Sequence, residues 1–258
     1  MPDYSDILAL WQSYNIQMQS DIDLHLDSFR ILFAYNSGKI ENASITYHDT
    51  REIFENGKVQ GFSGDTRTLF EQQNQKLCYE YLKPLIIKKQ SITKTFIKEV
   101  HAILTSGTYD TRRFVELGER PGEFKKHDFV TGVDEVGSLP EDVENDMQDL
   151  LDEIAEYESK DVLKAAAYFH LRFEYIHPFA DGNGRVGRAL LNYYLMIYNY
   201  PPIIIFEDDK NQYFNALALY DRDEEMQPMY DFLVSQTLKT WEKAYERDLK
   251  RKKKQEQD

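Results

Sequence analysis

Apolar residues recur at helical spacing along most of the chain. Phe96, Ile97, Val100, Ile103 and Leu104 repeat at i, i+1, i+4, i+7 and i+8, which is the pattern of one helix face. Similar stripes predict an early helix, a helix after residue 142 and a helix over about 162–176. Their marker residues are Leu24, Phe29, Leu32 and Phe33; Val143, Met147, Leu150, Leu151 and Ile154; and Val162, Ala166, Phe169, Phe173 and Ile176.

Turn-forming residues delimit the other helices. A helix over about 183–198 must end before Pro201, because the residue that precedes a proline disfavours helical geometry. Two further helices fit residues 210–220 and 229–247. Ser138-Leu139-Pro140-Glu141 has the form of a capping box and predicts a helix start there. The chain is therefore expected to be mainly α-helical.

Residues 122–137 break this pattern. They are rich in glycine and β-branched residues, and Phe129, Val130 and Thr131 precede Gly132. This composition predicts a short β-hairpin. An isolated hairpin is only marginally stable, so we expect it to lie on the helical body as a flap. A free strand edge there could dock an extended peptide of a protein partner.

Composition and charge narrow the class of protein. The chain has 258 residues, with 31 Lys+Arg against 45 Asp+Glu, a net charge of −14 that argues against nonspecific nucleic-acid binding. An apolar content of 41% is too high for a disordered chain. No apolar run is long enough for a membrane helix. A lone Cys78 and an acidic N-terminus without the form of a secretion signal predict a cytoplasmic location.

The segment 177–188 carries the strongest chemical signal. Its glycines lie where a new helix begins, so free backbone N–H groups and the positive end of the helix dipole form an anion site. Arg185 and Arg188 are three residues apart and project from one side, which suits a polyphosphate. Asp181 could hold Mg²⁺ on phosphate oxygens, and His177 could act as a general base. These residues together indicate a nucleotide site.

Two other interpretations of this segment remain open from the residues alone. The first is a glycine-rich turn with surface arginines and a capping aspartate. The second is a metal-dependent phosphohydrolase in which His170, His177 and Asp181 bind the metal. That reading leaves the anion site and both arginines without a role.

The run His-Pro-Phe-Ala-Asp-Gly-Asn-Gly-Arg-Val-Gly-Arg at 177–188 resembles the Fic family signature, His-x-Phe-x-(Asp/Glu)-Gly-Asn-Gly-Arg-x-x-Arg, at every specified position. The resemblance implies a compact helical core with a small β-hairpin flap. It also implies transfer of AMP from ATP to a Ser, Thr or Tyr hydroxyl of a protein, which can be the enzyme itself. His177 would deprotonate that hydroxyl, and Asp181 would bind Mg²⁺.

The resemblance also assigns the nucleotide contacts. Gly182, Asn183 and Gly184 would form the anion nest, Arg185 would hold the β-phosphate and Arg188 the γ-phosphate. Further along, Tyr213 and Phe214 resemble an aromatic pair near the family's adenine pocket, and Asp221 falls where some relatives have Asn. The preference for adenine over another base therefore stays open.

The flap and the N-terminal part show further similarity. Residues 122–132 resemble the family's flap, with Lys125 where Arg is common, so Phe129, Val130 and Thr131 would dock the target. Residues 37–42, Ser-Gly-Lys-Ile-Glu-Asn, resemble the family's inhibitory motif, (Ser/Thr)-x-x-x-Glu-(Gly/Asn), which includes Asn42. The alternative is a helix that ends at Gly38 and a solvated glutamate.

The inhibitory motif implies that Ser37 and Glu41 face one way, and that Glu41 pairs with Arg188 and blocks the γ-phosphate clamp. The expected organisation is an N-terminal part over 1–90, a core over 91–225, and a C-terminal helix with a basic tail over 226–258. The alternatives are removal of AMP from modified proteins by the same site, and a non-catalytic module that senses a nucleotide or binds a partner. A homo-oligomer is compatible with each of these.

Overall fold

The computed structural model describes residues 2–129, 137–157 and 161–255, and these residues form ten α-helices and no strand. They also form a π-helical turn at Arg112–Glu116 and a 3₁₀ turn at Glu207–Asp209. In this described part of the chain, no helix combines the length and the apolar character that crossing a membrane requires. The helices are α1 Tyr4–Ser13, α2 Gln19–Glu41, α3 Tyr47–Asn56, α4 Thr66–Ile87, α5 Lys94–Leu104, α6 Val143–Ala155, α7 Val162–Ile176, α8 Asn183–Ile197, α9 Lys210–Asp223 and α10 Gln227–Gln255.

Helices α7 and α8 form the centre of the molecule, and almost every residue of α8 is buried. One apolar cluster joins α4, α5 and α6 to one side of this pair. A second cluster joins α9 and α10 to another side. The loop 177–182 between α7 and α8 is therefore held at both ends by helices that are packed on several sides.

The early helix α2 runs without interruption to Glu41, so Gly38 does not end it. A Cβ atom at Gly38 would collide with the side-chain amide of Gln72 and would lie 2.7 Å from Cδ1 of Ile45. A side chain at position 38 would therefore force Gln72 and Ile45 to move, because α2 and α4 approach each other closely. This approach brings the last turn of α2 to the beginning of α8.

The apolar stripe that predicted α2 is wrong at Leu24, whose side chain is 75% exposed. The buried stripe runs instead through Ile22 and Leu26, which are fully buried. These two residues are four apart and share one helix face, whereas Leu24 lies between them and points away from it. The helix itself was predicted correctly.

The β-hairpin predicted over 122–137 is also wrong. The described residues 122–129 and 137 contain no strand. The backbone N–H of Lys125 donates to the carbonyl of Pro178 at 2.9 Å, and that of Lys126 donates to the buried carboxylate of Glu119 at 3.0 Å. These donors bind the loop 177–182 and a side chain, whereas a ladder would require a facing strand. Val130 and Thr131 belong to 130–136, which lie outside the described residues.

The capping box predicted at 138–141 does not form either. Helix α6 begins at Val143, with Asp142 as its N-cap and no side-chain cap. The backbone N–H of Ser138 instead donates to the carbonyl of Ile176 at 3.0 Å. This hydrogen bond joins the segment to the end of α7, so a tertiary contact prevails over the local signal.

Candidate active site

The loop between α7 and α8 uses left-handed backbone geometry at both ends. His177 follows the last turn of α7 with φ 51°, an uncommon conformation for a residue with a side chain. Gly182 precedes the first turn of α8 with φ 86°, and a Cβ atom there would lie 2.5 Å from Cγ2 of Thr105. Only glycine therefore fits at position 182.

The side chain of Asn183 closes the loop. Its Oδ1 accepts a hydrogen bond from the backbone N–H of Phe179 at 2.9 Å, and its Nδ2 donates to the carbonyl of the same residue at 2.7 Å. Both residues are buried. The amide of Asn183 thus serves the loop itself, so its contribution to an anion nest would come from its backbone N–H.

We expect Asn183→Ala to lower the free energy of unfolding by about 2–4 kcal/mol, because two buried backbone groups of Phe179 lose their partners. Asn192→Ala is the matched control, since Asn192 on α8 bridges the N–H and carbonyl of Ile203 at 2.7 and 2.9 Å. Thermal denaturation should show similar losses for the two variants. Only Asn183→Ala should weaken binding of pyrophosphate, a probe of the anion site that the sequence predicts, in a calorimetric titration, and equal weakening in both would refute a local role of the loop.

His101 on α5 connects two segments of the site. Its Nδ1 accepts a hydrogen bond from the backbone N–H of Gly122 at 2.8 Å, so its hydrogen lies on Nε2, which is 2.9 Å from the carbonyl oxygen of Asp181. Its ring stacks on Phe179 with centroids 3.7 Å apart. Burial lowers the pKa of His101 to about 4, so the ring is neutral at pH 7. The residue positions the loop as a packed, hydrogen-bonded histidine.

This geometry predicts a pH effect on stability. The pKa of His101 is about 4 in the folded protein and about 6.5 in the unfolded chain, so the unfolded chain binds the proton first as the pH falls. The stability that neutral His101 provides is complete above pH 6.5 and is lost progressively toward pH 4. Between pH 7 and pH 5 the loss is about 2 kcal/mol. Urea denaturation should show that His101→Gln has a smaller pH dependence than the wild type by this amount, and equal dependences would contradict the assignment.

Arg188 lies at the contact between α8 and α2. It is almost fully buried, and its Nε donates to Oγ of Ser37 at 3.0 Å. Its Nη2 donates to the carbonyl of Ser37 at 2.9 Å and to Oε1 of Glu41 at 2.8 Å. Burial is the largest single influence and would lower the pKa of Arg188, but the electrostatic interactions with Glu41, Tyr213 and Glu174 together raise the pKa of the guanidinium. The structure thus brings together Ser37, Glu41 and Arg188.

Glu41 also lies against the first turn of α8. A Cβ atom at Gly184 would collide with Oε1 of Glu41 and would lie 2.9 Å from Nη1 of Arg188. Glycine at position 184 is therefore required for the carboxylate to reach the beginning of the helix. Glu41 accordingly occupies space next to the proposed anion site.

A second ionic cluster surrounds Asp181. Its Oδ2 accepts a hydrogen bond from Nη2 of Arg67 at 2.7 Å, and its Oδ1 lies 3.5 Å from Nη2 of Arg185. Glu71, which is buried, accepts from Nε of Arg67 at 3.0 Å and lies 3.5 Å from Nη1 of Arg185. The other oxygen of Glu71 accepts from Nδ2 of Asn42 at 2.8 Å. Asn42 is thereby connected to the site through α4.

Arg185 retains unused donor groups. It is 3% exposed, and its Nε and Nη1 have no hydrogen-bond partner among the residues that the structure describes. It lines a cavity of about 460 Å³ together with His177, residues 180–184, Glu41 and the side chains of the cluster around Asp181. The beginning of α8 supplies N–H groups to the same cavity. Buried, unpartnered guanidinium donors beside a helix N-terminus are suited to bind an anion such as a phosphate.

His177 lies in this cavity in its basic form. Burial, with a smaller contribution from the charge of the nearby Lys125, lowers the pKa of His177 to about 4. Lys125 is itself buried, which lowers the pKa of its ammonium group. The imidazole of His177 is therefore neutral at pH 7 and can accept a proton.

The aromatic pair Tyr213 and Phe214 lies outside the cavity that contains His177. Tyr213 is buried, its hydroxyl is 2.9 Å from Nε2 of His170, and its ring lies 5.9 Å from Cζ of Arg188. Phe214 is 46% exposed, and neither ring lines the cavity beside His177. Phe129 does line that cavity. The described residues contain no group of three His, Cys, Asp or Glu side chains arranged to hold a metal ion.

Sequence reasoning missed Arg67, Glu71 and Arg113, all of which line the cavity. Arg67 and Glu71 are four residues apart on α4, and such a pair is typical of a solvated helix face. Nothing in the sequence connects them to Asp181. Arg113 belongs to the π-helical turn Arg112–Glu116, and its Nε donates to the carbonyl of Ala180 at 3.1 Å. Its sequence context contains no signal for such a turn.

Comparisons with known proteins agree with this geometry. The profile of the Fic/DOC family matches residues 91–195. The protein adenylyltransferase Fic of Drosophila willistoni is 32% identical over 209 residues, which are 80% of this chain and 40% of that protein. The corresponding protein of Drosophila mojavensis is 31% identical over 209 residues, 80% of this chain and 39% of the relative. The chain thus spans about two fifths of the length of these curated relatives.

Solved structures share the fold. A Fic domain containing signaling protein from Bacteroides thetaiotaomicron superposes with a TM-score of 0.81 at 25% identity, covering 95% of this chain and 96% of that one. Fic-1 from C. elegans superposes with a TM-score of 0.79 at 22% identity, covering 96% of this chain and 72% of that one. The helical arrangement is therefore common to these proteins over nearly the whole chain described here.

Proposed function

Since the chain belongs to the Fic/DOC family, we propose that it is an adenylyltransferase that moves AMP from ATP to a Ser, Thr or Tyr hydroxyl of a protein, and that Glu41 restrains it. The observation that carries the proposal is the cavity at the beginning of α8. There a neutral histidine, a carboxylate and the unpartnered donors of Arg185 face one space. A site that only bound a nucleotide would have no need of the base.

Phosphate binding is the task of α8 in this proposal. The N–H groups of its first turn and the donors of Arg185 would hold the β-phosphate. Arg188 would hold the γ-phosphate once Glu41 no longer occupies its Nη2. Because Glu41 lies beside Gly184, it would also hinder the approach of that phosphate.

Asp181 is the carboxylate that fits a magnesium ion here. Mg²⁺ in nucleotide sites takes one or two carboxylates and completes its shell with substrate phosphates and water, so a single aspartate beside the anion site is sufficient. When bound, the ion would neutralise charge on the phosphate oxygens. The carboxylate would first have to exchange its hydrogen bond with Arg67.

His177 would perform the proton transfer. Its neutral imidazole accepts the proton of the target hydroxyl, and the hydroxyl oxygen attacks the α-phosphorus of ATP. A new oxygen–phosphorus bond forms as the bond between the α-phosphorus and the bridging oxygen breaks, and pyrophosphate leaves. The remaining rate enhancement would come from positioning and from stabilisation of the phosphate charge.

Labelled ATP tests the proposal directly. We expect label from α-³²P-ATP on the protein or on an added protein target, and none from γ-³²P-ATP, because the β- and γ-phosphates leave as pyrophosphate. Intact mass measurement should show the addition of one AMP. Label from the γ-phosphate would instead indicate a kinase. ATP binding without label from either position, in the wild type and in Glu41→Gly alike, would indicate a nucleotide-sensing module.

A further inference from the structure

Arg67 holds the aspartate that the proposed function assigns to the metal. Its Nη2 lies 2.7 Å from Oδ2 of Asp181, and the two residues are 114 positions apart in the chain. We propose that Arg67 acts as an internal competitor of the divalent cation, so that it occupies the Asp181 carboxylate until Mg²⁺ and nucleotide displace it. This inference rests on the proposed function in one respect, the assignment of Asp181 as the metal ligand.

A guanidinium and a divalent cation cannot share this carboxylate favourably. Mg²⁺ binds carboxylate oxygens at about 2.0–2.1 Å, and its charge would repel a guanidinium on the same group. The second oxygen of Asp181 already faces Nη2 of Arg185 at 3.5 Å. Coordination of a metal at Asp181 therefore requires that Arg67 move away.

The structure gives Arg67 a means to do so. Its side chain is 36% exposed, and its Nε is bound to Glu71 at 3.0 Å, a contact that does not involve Nη2. Glu71 is 4% exposed and is held independently by Asn42 at 2.8 Å. Arg67 can thus release one carboxylate while it keeps the other as its counter-ion.

The position of Arg67 on α4 supports a dedicated role. It lies in the first turn, directly after Thr66 and the N-cap Asp65, where the positive end of the helix dipole disfavours a cation. Two carboxylates compensate for this position, Glu71 from the same helix and Asp181 from the loop. The fold therefore places the guanidinium of Arg67 where it pairs with Asp181 as well as with Glu71.

Binding of Mn²⁺ in the absence of nucleotide tests the inference. The free Mn²⁺ signal in electron paramagnetic resonance reports the affinity of the full chain, and thermal denaturation confirms folding. We expect Arg67→Gln to tighten Mn²⁺ binding about tenfold, because it removes a positive charge from the carboxylate. Arg67→Lys keeps the positive charge but cannot donate to Glu71 and Asp181 at the same time as a guanidinium does. Its Mn²⁺ affinity should therefore lie between those of the wild type and Arg67→Gln.

Two controls make the result specific. Arg113→Gln removes a cation from the same cavity, but Arg113 pairs with Asp110 and the carbonyl of Ala180, so Mn²⁺ affinity should change less than twofold. Adding Asp181→Asn to Arg67→Gln should abolish the gain. The inference is overturned if Arg67→Gln leaves binding unchanged or weaker, if Arg113→Gln tightens it equally, or if the gain survives without Asp181.

Failure of this inference can be distinguished from failure of the proposed function. A gain in Mn²⁺ affinity that depends on Asp181 would support the competition even if no AMP reached a protein. If the protein transfers AMP but Arg67→Gln does not change the Mn²⁺ affinity, the competition between Arg67 and the cation is refuted and the proposed function still stands.

Discussion

Replacing His177 with asparagine is expected to slow AMP transfer by about 10²- to 10⁴-fold, the range that a general base contributes. Asparagine is preferred over alanine because it tolerates the left-handed backbone that His177 adopts, with φ 51°. The variant therefore removes the base without forcing a change in the loop. Initial rates of label transfer from α-³²P-ATP measure the effect, with ATP affinity determined separately.

His127→Asn is the matched control for this substitution. His127 is a partly exposed histidine that contacts the buried Glu119, and it does not line the cavity. Replacement of His127 should leave the rate of AMP transfer within about twofold of the wild-type rate. A rate that is equally low in both variants, or unchanged in His177→Asn, would contradict the role of His177 as the base.

The pH dependence gives an independent check on the same residue. The pKa of His177 is about 4, so the imidazole is still neutral at pH 6. We expect kcat/KM at pH 6 to stay near its value at pH 7.5. A histidine with an ordinary pKa near 6.5 would lose most of its neutral form over this interval.

Replacing Glu41 with glycine is expected to raise the rate of AMP transfer by about 100-fold. Glu41 would no longer occupy Nη2 of Arg188 or the space beside Gly184, and a correction of about 1 Å in substrate position is worth this factor. Arg188 should stay in place, because it keeps two hydrogen bonds to Ser37 at 3.0 and 2.9 Å. Arg188 would thus be free to bind the γ-phosphate while its own position is maintained by Ser37.

Two further variants separate charge from backbone effects. Lys39→Gly introduces glycine into the same last turn of α2, but Lys39 contacts the carbonyl of Ala43 and not Arg188. Glycine lowers the stability of this turn by about 1 kcal/mol, so the rate should rise by no more than about fivefold over the wild type. Glu41→Gln keeps a hydrogen-bond acceptor without the charge, so an intermediate rate is expected. If Glu41→Gly were no faster than Lys39→Gly, the inhibitory role would be ruled out.

Much of the site could be predicted because its signal is local. The helix starts and the glycines of 177–188 lie within one short run, and elementary helix geometry places Arg185 and Arg188 on one side. The predicted contact between Glu41 and Arg188 is present at 2.8 Å. Its effect on activity stays a prediction until the variants are measured.

The remainder depended on contacts between distant parts of the chain. Arg67 contacts Asp181, which is 114 residues away in the chain, and the spacing of residues in the sequence cannot predict such a contact. The predicted hairpin failed because the backbone donors of Lys125 and Lys126 bind Pro178 and Glu119. The capping box at Ser138 failed for the same reason, since its N–H binds the end of α7. In these segments, tertiary hydrogen bonds determine the backbone conformation, in place of the strand and helix-cap preferences of the local sequence.

The close approach of α2 to α4 at Gly38 limits how the restraint could be lifted. Ser37 is 1% exposed and Gly38 is also buried, so separation of the whole helix would open the core. Among the residues after Gly38, Ile40 is still buried and Asn42 is bound to Glu71, but the turn lies at the end of the helix, and helix ends fray far more readily than packed interiors unfold. Glu41 would therefore be withdrawn by unwinding a single turn. A partner that captured this turn could set the activity by displacing a few residues while the rest of the fold stayed unchanged.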